Sequence, residues 1–316
     1  MHGLRVRSAV RLDAPIARGS SYDIEIGWGE RRGIPDSPPD GVLLARLDFP
    51  DAGSSLTAGP HGYLWRINGL CEFAVDAARR RATVHLAPDA DEEEASLFAG
   101  SFLAKMLALD GHCVLHASAV ELDGRAVAFV GAEGMGKTTV AALCCIAGAR
   151  VVTDDALRIE VTGGIGWCYR GSCELRLRPG AAQLAANLGW APRRSTLDAR
   201  TAVDPGAADG VRFPLAAVVA PKCKRDATDL RLVRLHGSSA VVELLRYPRT
   251  IGWTGAEHSR GDLSTLADLA SSVAIYQAEL PWAASVDPAL GQTLLKRLGF
   301  KANAAAPGIR QGSTAC

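Results

Sequence analysis

From Leu4 to Leu86 the chain alternates short apolar runs with turn-forming residues, at a spacing too short for helices. Leu4–Leu12, Tyr22–Trp28, Gly41–Phe49, Tyr63–Ile67, Glu72–Val75 and Ala82–Leu86 predict β-strands, and the Pro- and Gly-rich stretches Gly33–Gly41 and Asp51–Gly62 read as breaks between them. The expectation is an antiparallel β-rich region. Its aspartates, arginines and tryptophans (Trp28, Trp65) show no catalytic spacing; they suit solvated and core positions, with a substrate-docking face as the alternative.

The period changes between residues 90 and 110. Apolar side chains recur at Leu97, Phe98, Phe102, Leu103, Met106 and Leu107, Asp110-Gly111 closes the pattern, and the acidic run Asp91–Glu94 sits where a helix N-terminus favours negative charge. This predicts a helix bridging two domains, one over residues 1–110 and one over 111–300. Cys113–Val120 and Arg125–Val130 then read as strands joined by an Asp123-Gly124 turn, and Thr139–Ala147 as a helix capped by Gly148. Beyond it, Ala149–Thr153 and Ala156–Val161 predict strands, with Gly163-Gly164 as a turn. Leu215–Ala220, Leu230–Leu235 and Val273–Gln277 also predict strands; Arg178–Leu188, Gly237–Leu245, Asp262–Ser272 and Pro288–Leu298 predict helices. The second region is mixed α/β, and residues 301–316, small and polar, predict a mobile tail.

Composition narrows the function. The chain has 316 residues, 48% of them hydrophobic and 22% charged, enough for two cores, and its net charge of +1 argues against a general nucleic-acid or membrane-surface role. The N-terminal MHGLRVRSAVRLDAP has no continuous apolar core, and no run is long enough for a membrane span, so a cytoplasmic protein is expected. The eight cysteines form no C-x-x-C pair and read as ordinary thiols.

The chemistry-bearing stretch is GAEGMGKTT at residues 131–139, with Gly131 and Gly136-Lys137-Thr138 in the spacing G-x-x-x-x-G-K-[ST] of a P-loop. Between a strand and a helix, Gly131, Gly134 and Gly136 let backbone amides approach phosphate oxygens, Lys137 adds a mobile cation, and Thr138 and Thr139 open the helix, the Thr138 hydroxyl being suited to Mg²⁺. ATP and Mg²⁺ are therefore the expected ligands. Asp154-Asp155 follows an apolar strand 17 residues beyond Lys137, and two adjacent carboxylates can divide metal binding and proton acceptance. His116 on an apolar strand reads, on chemistry alone, as a core histidine. Glu174-Leu175-Arg176 reads either as an amphipathic strand end or as a carboxylate toward metal with an arginine toward phosphate. A basic stretch holding Arg246, Arg249, His258 and Arg260 offers a cation to close over a transferring phosphate.

LHASAV, the Asp-Gly turn, AFVGAEGMGKTT and a strand ending in TDD, at these separations, resemble the catalytic core of the HPr kinase/phosphorylase family, most strongly over residues 112–160. The resemblance implies a P-loop domain folded like phosphoenolpyruvate carboxykinase, preceded here by the β-rich region. It implies an ATP-dependent kinase in which His116 and Asp154 stand at the reacting phosphate with Lys137, Asp154 acting as base toward an acceptor serine. Thr138, Asp155 and Glu174 would lie near the metal, and Arg176 and Arg260 are candidate phosphate contacts. After the glutamate the chain reads ELRLRPG, unlike the longer glycine-containing signature of the bifunctional members, and the N-terminal region does not match their regulatory domain. Relatives that stand beside genes for lasso and other ribosomally made peptides imply a serine-bearing protein or precursor peptide as partner. A nucleotide sensor without turnover and a small-molecule kinase are the alternatives, and a homo-oligomer is compatible with all three.

Overall fold

A computed structural model describes residues 1–14, 19–48, 53–181, 190–195, 199–249, 252–254, 256–282 and 287–301, the side chains of 256–261 excepted. The first sheet comprises β1 (Val6–Ser8), β2 (Ile24–Trp28), β3 (Val42–Leu47), β4 (Ser54–Gly59), β5 (Gly62–Ile67), β6 (Cys71–Asp76) and β7 (Arg81–Leu86). Their order is β1-β2-β7-β6-β5-β4-β3. β3 to β7 form an antiparallel meander, but β2 pairs parallel with both β1 and β7, so the sheet is mixed and not purely antiparallel as expected. The expected break at Asp51–Gly62 instead contains β4, an interior strand whose Ser55, Leu56 and Thr57 are buried. Pairing on both edges supplies what its small and polar residues lack in strand propensity.

Helix α1 (Glu92–Leu109) starts on a capping box, with the Asp91 side chain accepting from the Glu93 N–H and the Glu94 carboxylate accepting from the Asp91 N–H. One face, Ala95, Ala99, Phe102, Leu103 and Met106, packs into the first sheet's core, where Phe102 stacks on Phe73 at 4.8 Å. Its Ala104 and Leu107 pack against Val114 and Ala156 of the second layer. α1 therefore touches both sheets.

The second sheet begins with β8 (Cys113–Leu115), β9 (Ala117–Leu122) and β10 (Arg125–Val130). The single strand expected over Cys113–Val120 is broken at His116: β8 pairs with β12 (Leu157–Thr162), whereas β9 pairs with β10 and with β11 (Arg150–Thr153). β13 (Ile165–Tyr169) continues the β12 layer across the Gly163-Gly164 turn. The long β17 (Arg212–Lys224) joins β13 at one end to β10 and β19 (Ala274–Pro281) at the other, and β18 (Arg231–Leu235) edges β19. A small sheet, β14 (Leu175–Leu177), β16 (Thr201–Val203) and β15 (Pro192–Ser195), stands beside it.

β10 is buried on both faces, as a central strand must be. Val127 and Phe129 join the core containing α2 (Lys137–Ile146) and α5 (Ala289–Arg297), while Ala126, Ala128 and Val130 join that of α3 (Gly237–Leu245) and α4 (Ala256–Ser272). The architecture is mixed α/β and strand-rich, and among the described residues no helix is long and apolar enough to cross a membrane. Cys71, Cys113, Cys144, Cys145, Cys168 and Cys173 are buried and form no disulfides. The helix expected over Arg178–Leu188 and the tail expected from residue 301 run into residues 182–189 and 302–316, outside the described part.

The placement of α2 depends on Gly291. A β-carbon there would meet the Leu143 carbonyl oxygen at 2.1 Å, so only glycine lets α5 approach the α2 backbone this closely. Gly291→Ala is expected to lower the unfolding free energy by about 1–3 kcal/mol, as overpacking does, read by urea denaturation; unchanged stability would contradict that contact.

Candidate active site

β10 delivers the chain into a turn that uses the left-handed backbone glycine favours. Gly134 and Gly136 take φ 79° and 87°, and Gly136 forms the N-cap of α2 without any side chain capping the helix. Lys137, the first residue of α2, folds back so that its Nζ donates to the carbonyls of Gly131 at 2.8 Å and Ala132 at 2.9 Å. Burial lowers its pKa against the opposing pull of Asp154 and Asp155. Glu133, at the tip, is held by Arg178 at 2.9 Å and by Arg200. Thr139 is half-buried in the first turn of α2.

The acidic pair follows β11, and its two members face different ways. Asp154 is 6% exposed and its carboxylate accepts from Ser118 Oγ at 2.6 Å, Thr138 Oγ1 at 3.0 Å and the Arg176 backbone N–H at 3.1 Å. Asp155 sits in the left-handed region at φ 72°, a costly conformation for a non-glycine residue and one concentrated at functional sites. The turn directs its carboxylate at Arg249 (2.7 Å), Arg176 (3.4 Å) and His116 Nε2 (3.4 Å). Burial works to raise the Asp155 pKa, but Arg249, Arg176, His116 and Lys137 outweigh it and hold the carboxyl far below the usual carboxylate range.

His116 stands in the break between β8 and β9, with its backbone N–H bonded to the Tyr247 carbonyl. Burial first, and then the charges of Lys137, Arg249 and Arg200, lower its pKa to about 4 despite Asp155, leaving a neutral imidazole near pH 7.

The residues expected to share a metal are not assembled as a trio. Thr138 bonds Asp154 and not Asp155, while Asp155 is engaged by two arginines. Glu174 is 1% exposed and faces Arg194 at 3.0 Å, with Arg11 and Arg193 each at 3.6 Å. Arg194 also reaches Asp13 at 2.7 Å; burial and then Asp13 raise the Glu174 pKa, opposed by Arg194. The charged partners of this carboxylate are arginines. Among the described residues no group of three or more His, Cys, Asp and Glu side chains is arranged to hold a metal ion.

Of the basic stretch, Arg249 reaches the site. Its backbone N–H bonds the Val114 carbonyl beside the Leu115–Pro248 bridge, and its guanidinium spans Asp155 and Ser101 of α1. The side chains of His258 and Arg260 lie outside the described residues. Residue patterns alone gave no signal for Asp13 or Arg194, which arrive from distant parts of the chain, whereas Ser118 lies inside the LHASAV stretch and was not singled out there. A small, partly enclosed cleft adjoins the acidic pair, lined by Asp154, Asp155, Arg176, Arg194, residues of α1 and residues near position 1.

No protein-family model and no curated protein matches the chain. Among solved structures, the Hpr(Ser) kinase/phosphatase from Coxiella burnetii is similar over 58% of this chain and 94% of that chain, at 12% identity and a TM-score of 0.31. A likeness that loose carries no inference about activity.

His116 provides a direct check on the electrostatics. Its ordinary value is 6.5 and its folded value about 4, so between them the unfolded chain binds a proton that the folded chain does not. Its contribution to stability is complete above pH 6.5 and is lost as the pH falls toward 4. In a ¹³C-edited histidine NMR titration, the His116 ring is expected to stay neutral from about pH 8 to about pH 5. Asp155→Asn should lower its midpoint further, because Asp155 is the group that favours its charged form; a midpoint near 6.5 in the native protein would contradict this arrangement.

Proposed function

We propose that the protein is an ATP-dependent phosphotransferase that moves the γ-phosphate to a hydroxyl, in keeping with the serine acceptor implied by the sequence resemblance. The observation that carries the reading is the junction of the glycine-rich turn with the acidic pair: Thr138 at the start of α2 bonds Asp154, while the adjacent Asp155 faces His116 and two arginines. A turn suited to phosphate thereby adjoins two carboxylates with different partners.

Gly131, Gly134 and Gly136 with the free α2 N-terminus suit the phosphates, and Lys137 can exchange its carbonyl partners for phosphate oxygens. The oxygen donors Thr138 Oγ1, Ser118 Oγ and Asp154 Oδ1 suit Mg²⁺, which binds through one or two carboxylates together with substrate phosphates. Bound there, Mg²⁺ supplies charge neutralisation to the polyphosphate. This fit assigns Asp154 to the metal side and leaves Asp155 for the acceptor, the reverse of the division implied by the resemblance; Glu174, held among arginines, takes no metal role.

Asp155 accepts a hydrogen bond from the incoming hydroxyl and takes its proton as the oxygen bonds to the γ-phosphorus and the bond to the β-phosphate oxygen breaks, releasing ADP. The low basicity of Asp155 suits a loose transition state, in which orienting the nucleophile matters more than early proton removal. Arg176 and Arg249, paired with Asp155 in this structure, can turn to the negative charge on the transferring group. Neutral His116 offers Asp155 a hydrogen-bond partner once it holds the proton.

Purified protein incubated with radiolabelled ATP, Mg²⁺ and hydroxyl acceptors tests the division. Lys137→Ala and Asp154→Asn are expected to weaken MgATP binding and to cut transfer at least about a hundredfold; Asp155→Asn should retain MgATP binding and lose transfer to a similar degree. Undiminished transfer in Lys137→Ala or Asp154→Asn would sink the proposal. ATP binding with no turnover in the native protein would favour a sensor.

A further inference from the structure

The cleft beside the acidic pair is walled by two parts of the chain that carry none of the motif. One wall is α1, which presents Ser96, Leu97, Gly100 and Ser101 at helical spacing; the other is formed by Met1, His2, Leu12 and Asp13. Both reach the chemistry directly. Ser101 Oγ accepts from the same Arg249 guanidinium that holds Asp155, and Asp13 is paired with Arg194, which itself lines the cleft.

His2 is the unexplained member. It is 1% exposed, yet among the described residues neither ring nitrogen has a hydrogen-bond partner. Its position is fixed all the same: its backbone N–H donates to the Arg170 carbonyl at 2.6 Å, its carbonyl accepts from Arg158 at 3.0 Å, and a β-carbon on Gly171 would lie 2.3 Å from its Cε1. Burial first, and then neighbouring positive charge including Arg158, lower its pKa to about 3. The ring is thus neutral, with one N–H to donate and one lone pair to accept. A buried polar group without a partner costs stability of the order of a lost hydrogen bond, and such a cost persists where a ligand completes the pair.

We infer that the cleft between α1 and residues 1–13 binds the molecule bearing the phosphate-accepting hydroxyl, with His2 hydrogen-bonding it beside Asp155. This rests on the phosphotransfer reading and adds to it a place for the acceptor, built by the region that contains no motif. The acceptor class is a primary alcohol, carried by a peptide serine or by a small molecule. The nucleotide, held at the turn before α2, reaches the acidic pair from the loop side, so the cleft serves the second substrate.

The test uses the full chain with radiolabelled ATP and two acceptor arms, a degenerate peptide pool centred on serine and a pool of small primary alcohols including free serine; the arm the native protein phosphorylates identifies the source. His2→Phe keeps the ring volume and removes both nitrogens, and Gly100→Leu fills the cleft from the α1 side, where a β-carbon already approaches Met1 Cε at 3.4 Å. With folding verified by circular dichroism and thermal melting, each variant is expected to raise the acceptor KM about tenfold and to leave the MgATP KM within about twofold of the native value. An unchanged acceptor KM in either variant overturns the inference while leaving phosphotransfer intact. A raised MgATP KM would assign the cleft to the nucleotide and overturn it equally. A native protein that phosphorylates neither arm defeats the phosphotransfer reading, and this inference with it.

Discussion

One buried carboxylate ties the site together. Asp154 accepts hydrogen bonds from Ser118 on β9, Thr138 on α2 and the Arg176 backbone on β14, and it stands at the end of β11. A buried carboxylate without such donors would carry a large desolvation cost, so the three elements are held to it by the need to satisfy it. The glycine-rich turn inherits its position from that constraint, because Thr138 follows Lys137 at the start of α2. The close packing of α2 on α5 through Gly291 fixes the other end of the same helix.

Asp155 applies the opposite logic. Its left-handed backbone separates it from its neighbour's hydrogen-bond set and exposes it to a concentration of positive charge from Arg176 and Arg249, with His116 kept neutral by burial. Arg249 carries that charge cluster to Ser101, so the helix that covers the first sheet also borders the chemistry. Two adjacent aspartates with distinct surroundings are a means of obtaining distinct roles from one residue type.

Much of this was legible in the sequence, and the failures have physical causes. β10, α2 and α3 follow from strong apolar patterns bounded by turn residues, and the glycine spacing located the turn. β4, β15 and β16 escaped notice because they are short or poor in strand formers and gain their order from pairing with neighbouring strands, and β13, though rich in strand formers, was passed over behind the Gly163-Gly164 turn. The break at His116 was invisible because both halves of LHASAV are apolar, and a change of strand partner leaves no local mark. The division between Asp154 and Asp155 depends on a single φ angle that adjacency in sequence does not encode. Arg249 stood among four plausible basic residues until its backbone bond to Val114 placed it, and His2, Asp13 and Arg194 lie too far from the motif in sequence for any spacing rule to reach them.

The central claim is that the turn before α2 and the acidic pair form one phosphotransfer site. It is tested most directly by ³¹P NMR of the purified protein with MgATP and hydroxyl acceptors, following the fate of the γ-phosphate. The account predicts a phosphomonoester resonance that grows in step with ADP. Inorganic phosphate alone, or ATP that binds and stays intact, would contradict it.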